Sequence, residues 1–176
     1  MKGTYNAAEK VYKVSKPRAN MGAVAGWKIP PFLGTTSYAA FSPVANDQVM
    51  VMGDNVLFGD EVGPTMSAAL ENGLEITALH NHFFFEQPRL FFMHVSGMDY
   101  PNKLAAAVKK VLVAPEQVRS GQATPATKYA AGSVPAESHI TPAPLEGILG
   151  KKGEVNNGML KVSYGRPVKV HGGYDG

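Results

Sequence analysis

Apolar and polar positions alternate along Val11-Tyr12-Lys13-Val14-Ser15, and this period of two predicts a strand that Pro17 closes. After a Gly-, Ala- and Pro-rich stretch over residues 20–34, which holds the single tryptophan, Trp27, the pattern resumes and predicts a second strand from Thr35 to Phe41. Gln48 to Met52 is strongly apolar and reads as a third, short strand closed by the turn-like Gly53-Asp54-Asn55. The period then changes. Val62, Met66, Ala69, Leu70 and Gly73 fall on one helical face, with Asp60 or Gly63 as cap, Pro64 in the first turn and Asn72-Gly73 as the stop.

Glu75–Phe85 and Leu90–Ser96 are apolar arms around a polar Glu-Gln-Pro-Arg break, which predicts a β-hairpin. Asp99-Tyr100-Pro101 opens a second helix whose apolar stripe is Leu104, Val108, Val111 and Leu112, with Lys109 and Lys110 placed to complement its dipole. The order strand, helix, strand, strand, helix predicts an α+β fold: a mostly antiparallel sheet with two helices on one face and a central histidine-bearing hairpin.

Domain organisation follows from where these patterns stop. Residues 1–113 form the expected core domain, and 114–145 read as an Ala/Pro-rich arm of irregular structure. Residues 146–176 hold a terminal strand segment that repeats the N-terminus. Lys2-Gly3-Thr4-Tyr5-Asn6, followed by Lys13-Val14-Ser15 and Arg18, matches Lys152-Gly153-Glu154-Val155-Asn156, followed by Lys161-Val162-Ser163 and Arg166, with a two-residue gap. A strand over 158–164 must pair within its own domain or with a neighbouring molecule. The latter would make a homo-oligomer or homopolymer through the terminal strand.

Composition narrows the chemistry. The 176 residues, 44% hydrophobic, suit one well-formed core. A net charge of +3 with scattered Lys and Arg argues against nucleic acid, and without a long apolar run a membrane span is not expected. The absence of cysteine removes disulfides, thiolate nucleophiles and Cys-ligated metal. The N-terminus lacks the apolar region of a signal peptide, so either the protein is not exported or a leader is absent from this chain.

The hairpin carries the candidate chemistry. His80 and His82, two apart on a strand, would share a face at about 6–7 Å along it. His94 on the return arm would complete a metal site with Glu86 as an oxygen ligand, and Asp54 is a further candidate ligand or acid–base partner. The register decides. A symmetric loop centred on Gln87-Pro88 pairs Phe85 with Leu90 and sends His94 to the wrong face, whereas an odd loop or one bulge brings it beside His80 or His82. Imidazoles without thiolates suit a divalent transition metal such as zinc or copper. The competing reading is a hydrogen-bonded core histidine set with no metal, among phenylalanines 83, 84, 85, 91 and 92 that are simply core. Met50, Met52, Met93 and Met98 hint at copper, although packing is the commoner role of methionine in apolar strands. Arg89 beside Pro88 is an anion-binding candidate, with a solvated hairpin tip as the alternative, and no catalytic residue is identified.

Several segments together resemble one family. Met52-Gly53-Asp54-Asn55-Val56-Leu57, Asp60-Glu61-Val62 with Pro64 and Met66, Glu71 through His82, Glu86-Gln87-Pro88-Arg89 and Met93-His94 are similar to the LppY/LpqO proteins, bacterial lipoprotein-like proteins with a domain of unknown function, over roughly residues 9–113. The resemblance implies an extracytoplasmic location, in the periplasm, at the cell surface or secreted, and frequent occurrence of two such domains. It implies no activity. Two functions are therefore expected in competition: a transition-metal-binding extracytoplasmic domain of unassigned chemistry, or a non-catalytic binding or self-assembling module that exchanges its terminal strand.

Overall fold

The computed structural model describes residues 3–19, 21–24, 26–127, 140–167, 169–170 and 174–175. Two compact units divide the chain, Met1–Tyr129 and Ala130–Gly176. In the first, the strands are β1 (Gly3–Asn6), β2 (Val11–Pro17), β3 (Ala23–Val24), β4 (Trp27–Lys28), β5 (Thr36–Pro43), β6 (Val49–Phe58), β7 (Glu75–His80), β8 (Glu86–Gln87) and β9 (Leu90–Asp99). Helix α1 (Gly59–Leu70) lies between β6 and β7, and α2 (Pro101–Gly121) follows β9. The architecture is α+β. An antiparallel six-stranded sheet in the order β1-β2-β5-β6-β9-β7 carries both helices on one face.

Alternation along the strands separates two cores. Val51, Leu57, Met93 and Val95 point to the helices and pack with Leu104, Ala107, Val108, Val111 and Leu112 of α2 and Ala69 of α1. Val56, Phe58, Leu90 and Phe92 point the other way, where Met21 and Ile29 cover them in a smaller core. A three-stranded sheet, β4-β3-β8, lies in this second layer. Among the described residues of the first unit, the rest of the helix-free face is uncovered, and the candidate site lies on it.

A buried ion pair anchors α1. Glu61 is fully buried and accepts the Phe58 N–H at 2.9 Å, while Arg18 grips it with two nitrogens at 2.6 and 2.9 Å. Arg119 Nε lies 3.1 Å from Glu61 Oε1, an oxygen that Arg18 also holds, and Arg119 pairs with Asp60. The expected cap, Asp60 or Gly63, is corrected: α1 begins at Gly59 with Phe58 as N-cap, and Glu61, three residues on, accepts the Phe58 N–H while tying α1 to α2 and the segment after β2.

Several predicted boundaries move. The third strand does not close at Gly53-Asp54-Asn55 but runs to Phe58, because Asp54 and Asn55 keep cross-strand partners in His94 and Met93 and Asn55 Nδ2 donates to the Met93 carbonyl at 3.2 Å. The second helix does not end near 113: Ala114 and Pro115 are buried within α2, which reaches Gly121. Lys16 Nζ donates to the Leu112 carbonyl at 2.6 Å in the turn that Pro115 disrupts, and pairs with Glu116 at 2.7 Å. Residues 128–139 of the Ala/Pro-rich arm lie outside the described residues, and its end forms α3 (Pro142–Leu149) in the second unit.

The second unit also holds β10 (Glu154–Asn156), β11 (Met159–Lys161), β12 (Lys169–Val170) and β13 (Tyr174–Asp175), the first two and the last two pairing as antiparallel ribbons. The sequence repeat is a structural repeat. β1 and β2 pair Thr4 with Lys13 and Asn6 with Val11, while β10 and β11 pair Glu154 with Lys161 and Asn156 with Met159. The two-residue gap falls in the turn, Ala7–Lys10 in one hairpin and Asn157-Gly158 in the other. Gly3 and Gly153 also correspond. A Cβ on either would collide with the diagonal residue of the return strand, Tyr12 or Leu160.

Candidate metal centre

One β-bulge assembles the site. At the start of β7, Ile76 lies opposite Val95 and packs toward the helices. A period of two would then place His80 on that same face. The irregularity between Ile76 and Ala78 inserts Thr77, so that Ala78 lies opposite His94 and His80 opposite Phe92, both on the open face. On the other side of β9, His94 pairs directly with Asp54 of β6. Asp54, His94 and His80 therefore come from three adjacent strands onto one patch.

Their polar atoms converge. His80 Nε2 and His94 Nε2 are 2.9 Å apart, and Asp54 Oδ1 is 3.8 Å from His94 Nε2. A nitrogen pair at that distance needs one proton between them. Two nitrogens each about 2.1 Å from a metal ion at right angles would also stand about 3 Å apart, so proton and metal compete for the same lone pairs. Asp54 Oδ1 is buried and accepts no hydrogen bond. Burial pushes the Asp54 carboxyl above its ordinary range, while positive charge on His94, His82 and His80 would pull it down.

His82 reaches the patch by another route than expected. β7 stops at His80, so His82 does not share a strand with it; the chain leaves the sheet and Asn81 Nδ2 donates to the Leu90 carbonyl instead. The His82 ring lies flat on Phe92, with centroids 3.4 Å apart, and stacks at 5.0 Å from His80. Gly34 lies against the same ring, where a Cβ would stand in ordinary contact at 3.4 Å from His82 Nδ1. Burial lowers the pKa of His82, against the attraction of Asp54.

The predicted hairpin from Glu75 to Ser96 is corrected accordingly: nine residues, Asn81–Arg89, separate β7 from β9, and part of them pairs with β3 as β8. Glu86 sits in this excursion. It is buried, its Oε1 accepts the Leu90 N–H at 3.2 Å, and its described contacts do not include the histidines. Arg89 is exposed beside Pro88. Of the phenylalanines expected in the core, Phe92 is buried, Phe83 and Phe91 are half-buried against the two cores, and Phe84 and Phe85 are exposed at the tip, where Phe85 adopts a left-handed backbone. Among the described residues, no three His, Asp or Glu side chains already surround one point as a metal cage would require. The patch offers two converged nitrogens, an orphaned carboxylate oxygen and a third imidazole within ring-stacking distance.

With this geometry in view, comparison with known proteins gives one positive result. A family profile described as a domain of unknown function, DUF1259, matches residues 1–114. The chain belongs to the DUF1259 family. The matched span takes in the sheet, α1, the histidine patch and the first part of α2, so the patch belongs to the DUF1259 domain itself. No curated protein and no solved structure matches the chain. Among the described residues, no helix is long and apolar enough to cross a membrane.

Proposed function

We propose that this DUF1259 domain binds a divalent transition metal ion, zinc or copper, through His80, His94 and Asp54, with the His82 ring stacked beside them. One observation carries the reading: the two Nε2 atoms stand 2.9 Å apart beside a buried carboxylate oxygen without a partner. A dry protein would satisfy the histidines with a shared proton but would leave Asp54 Oδ1 bare, at a cost of about 1–3 kcal/mol. A cation satisfies all three. Open lateral access on the helix-free face leaves a coordination position for a further ligand, which is the requirement for hydrolytic or oxidative chemistry. The resemblance to LppY/LpqO proteins supports an extracytoplasmic setting for it. The test is isothermal titration of untagged protein with zinc and copper(II) against the His80→Ala/His94→Ala variant. Binding lost in the variant supports the site. Equal binding in both would leave the histidines as a hydrogen-bonded pair.

A second reading rests on the repeated hairpin. β2 pairs with β1 on one side and β5 on the other, whereas β11, its counterpart, pairs only with β10 among the described residues. An unpaired strand edge invites a strand from another copy of the chain. Size-exclusion chromatography with and without residues 150–176 decides it: loss of assembly in the shortened chain favours strand exchange, and an unchanged elution state rejects it.

A further inference from the structure

We propose a second, soft metal site on the same sheet face, formed by Met50, Met52 and Met98 and selective for copper(I). It does not depend on the histidine reading. Four methionines lie on the adjacent strands β6 and β9, and the structure separates them. Met93 is fully buried among the helix-facing core residues, which is the ordinary packing role. Met50, Met52 and Met98 are 39%, 56% and 58% exposed.

Register places the three together. Met50 of β6 and Met98 of β9 are direct cross-strand partners, and Met52 is the next residue of β6 on that face. Opposite residues have Cβ atoms about 5 Å apart, and neighbours two apart on a strand lie about 6–7 Å apart. Flexible thioether side chains span such gaps to a common ion.

Their surroundings are not those of a packed cluster. Met50 is flanked across the sheet by Ser42, and Met52 by Ala40 and Ser96. Apart from one another, their direct register partners among the described residues are therefore small, which leaves the sulfur atoms room. Thioethers are soft, neutral ligands that favour copper(I) over zinc. One strand repeat further along, Met52 and Ser96 give way to Asp54 and His94, the harder donors that suit divalent ions.

The experiment uses the full chain under anaerobic conditions and titrates it into the copper(I)–bicinchoninate complex, with zinc binding measured in parallel. Wild type is expected to withdraw one copper(I) per chain. Met50→Leu/Met98→Leu, which keeps apolar bulk, should weaken this by at least tenfold while leaving zinc binding unchanged, and His80→Ala/His94→Ala should retain copper(I). X-ray absorption of the copper(I) form should show sulfur neighbours. No withdrawal of copper(I) by wild type, or equal withdrawal by the leucine variant, overturns the proposal. Loss of copper(I) in the histidine variant with the leucine variant unaffected would also overturn it, since the ion would then sit on imidazoles.

Discussion

Asp54 shows how a single residue escapes its local sequence. Gly-Asp-Asn is a strong turn signal, yet Asp54 lies in the middle of β6 with its carboxylate aimed at His94. Only its partners across the sheet reveal this, and those partners come from distant parts of the chain. Because burial raises its pKa, the folded state holds the Asp54 proton more tightly than the unfolded chain does. Metal-free stability should therefore fall as pH rises from the ordinary carboxylate value of 3.8 through the raised one. Asp54→Asn is expected to remove this slope and to raise metal-free stability at neutral pH by about 1 kcal/mol, while weakening zinc binding at least tenfold; urea unfolding across pH, paired with zinc titration, checks both. Glu61 gives the opposite case. Its carboxylate is held by Arg18 and the Phe58 N–H, so Glu61→Ala should destabilise the fold by about 3–5 kcal/mol, read from the shift in urea midpoint.

At the level of elements, the alternating and helical periods located the main strands and both helices of the first unit, because these elements each bury one face. What periodicity does not contain is a bulge. Ile76 and His80 are four apart and would share a face in any regular strand, but the inserted Thr77 sends one to the helices and the other to the open side. Sequence reasoning could state that register was decisive without fixing it. Deleting Thr77 should restore regular pairing and turn either Ile76 out or His80 in. Zinc binding is expected to be lost in that deletion and kept in Thr77→Ala, which retains the extra residue; binding preserved in the deletion would show that the bulge does not set the site. The end of α2 was illegible for a related reason. By composition Ala114 and Pro115 open the Ala/Pro-rich arm, but their burial and the Lys16 contact to the Leu112 carbonyl carry the helix through them.

The molecule as a whole consists of a DUF1259 unit and a second unit that begins to repeat its first hairpin. The first unit has its own sheet, helices and two apolar cores. Residues 1–129 expressed alone should therefore fold cooperatively with a melting temperature within a few degrees of the full chain and bind zinc with the same affinity; a molten, non-cooperative fragment would contradict this. The terminal repeat was legible as sequence, but its partner was not: the strand expected over 158–164 is limited to Met159–Lys161 and pairs across the two-residue turn with β10 in a separate ribbon.

The most direct measurement of the central claim is metal analysis by inductively coupled plasma mass spectrometry on untagged wild-type protein and the His80→Ala/His94→Ala variant, both dialysed against zinc and then against metal-free buffer. About one zinc per wild-type chain and none in the variant is the expected result. Equal metal in the two, or none in either, would contradict it and make the histidine pair a structural hydrogen bond.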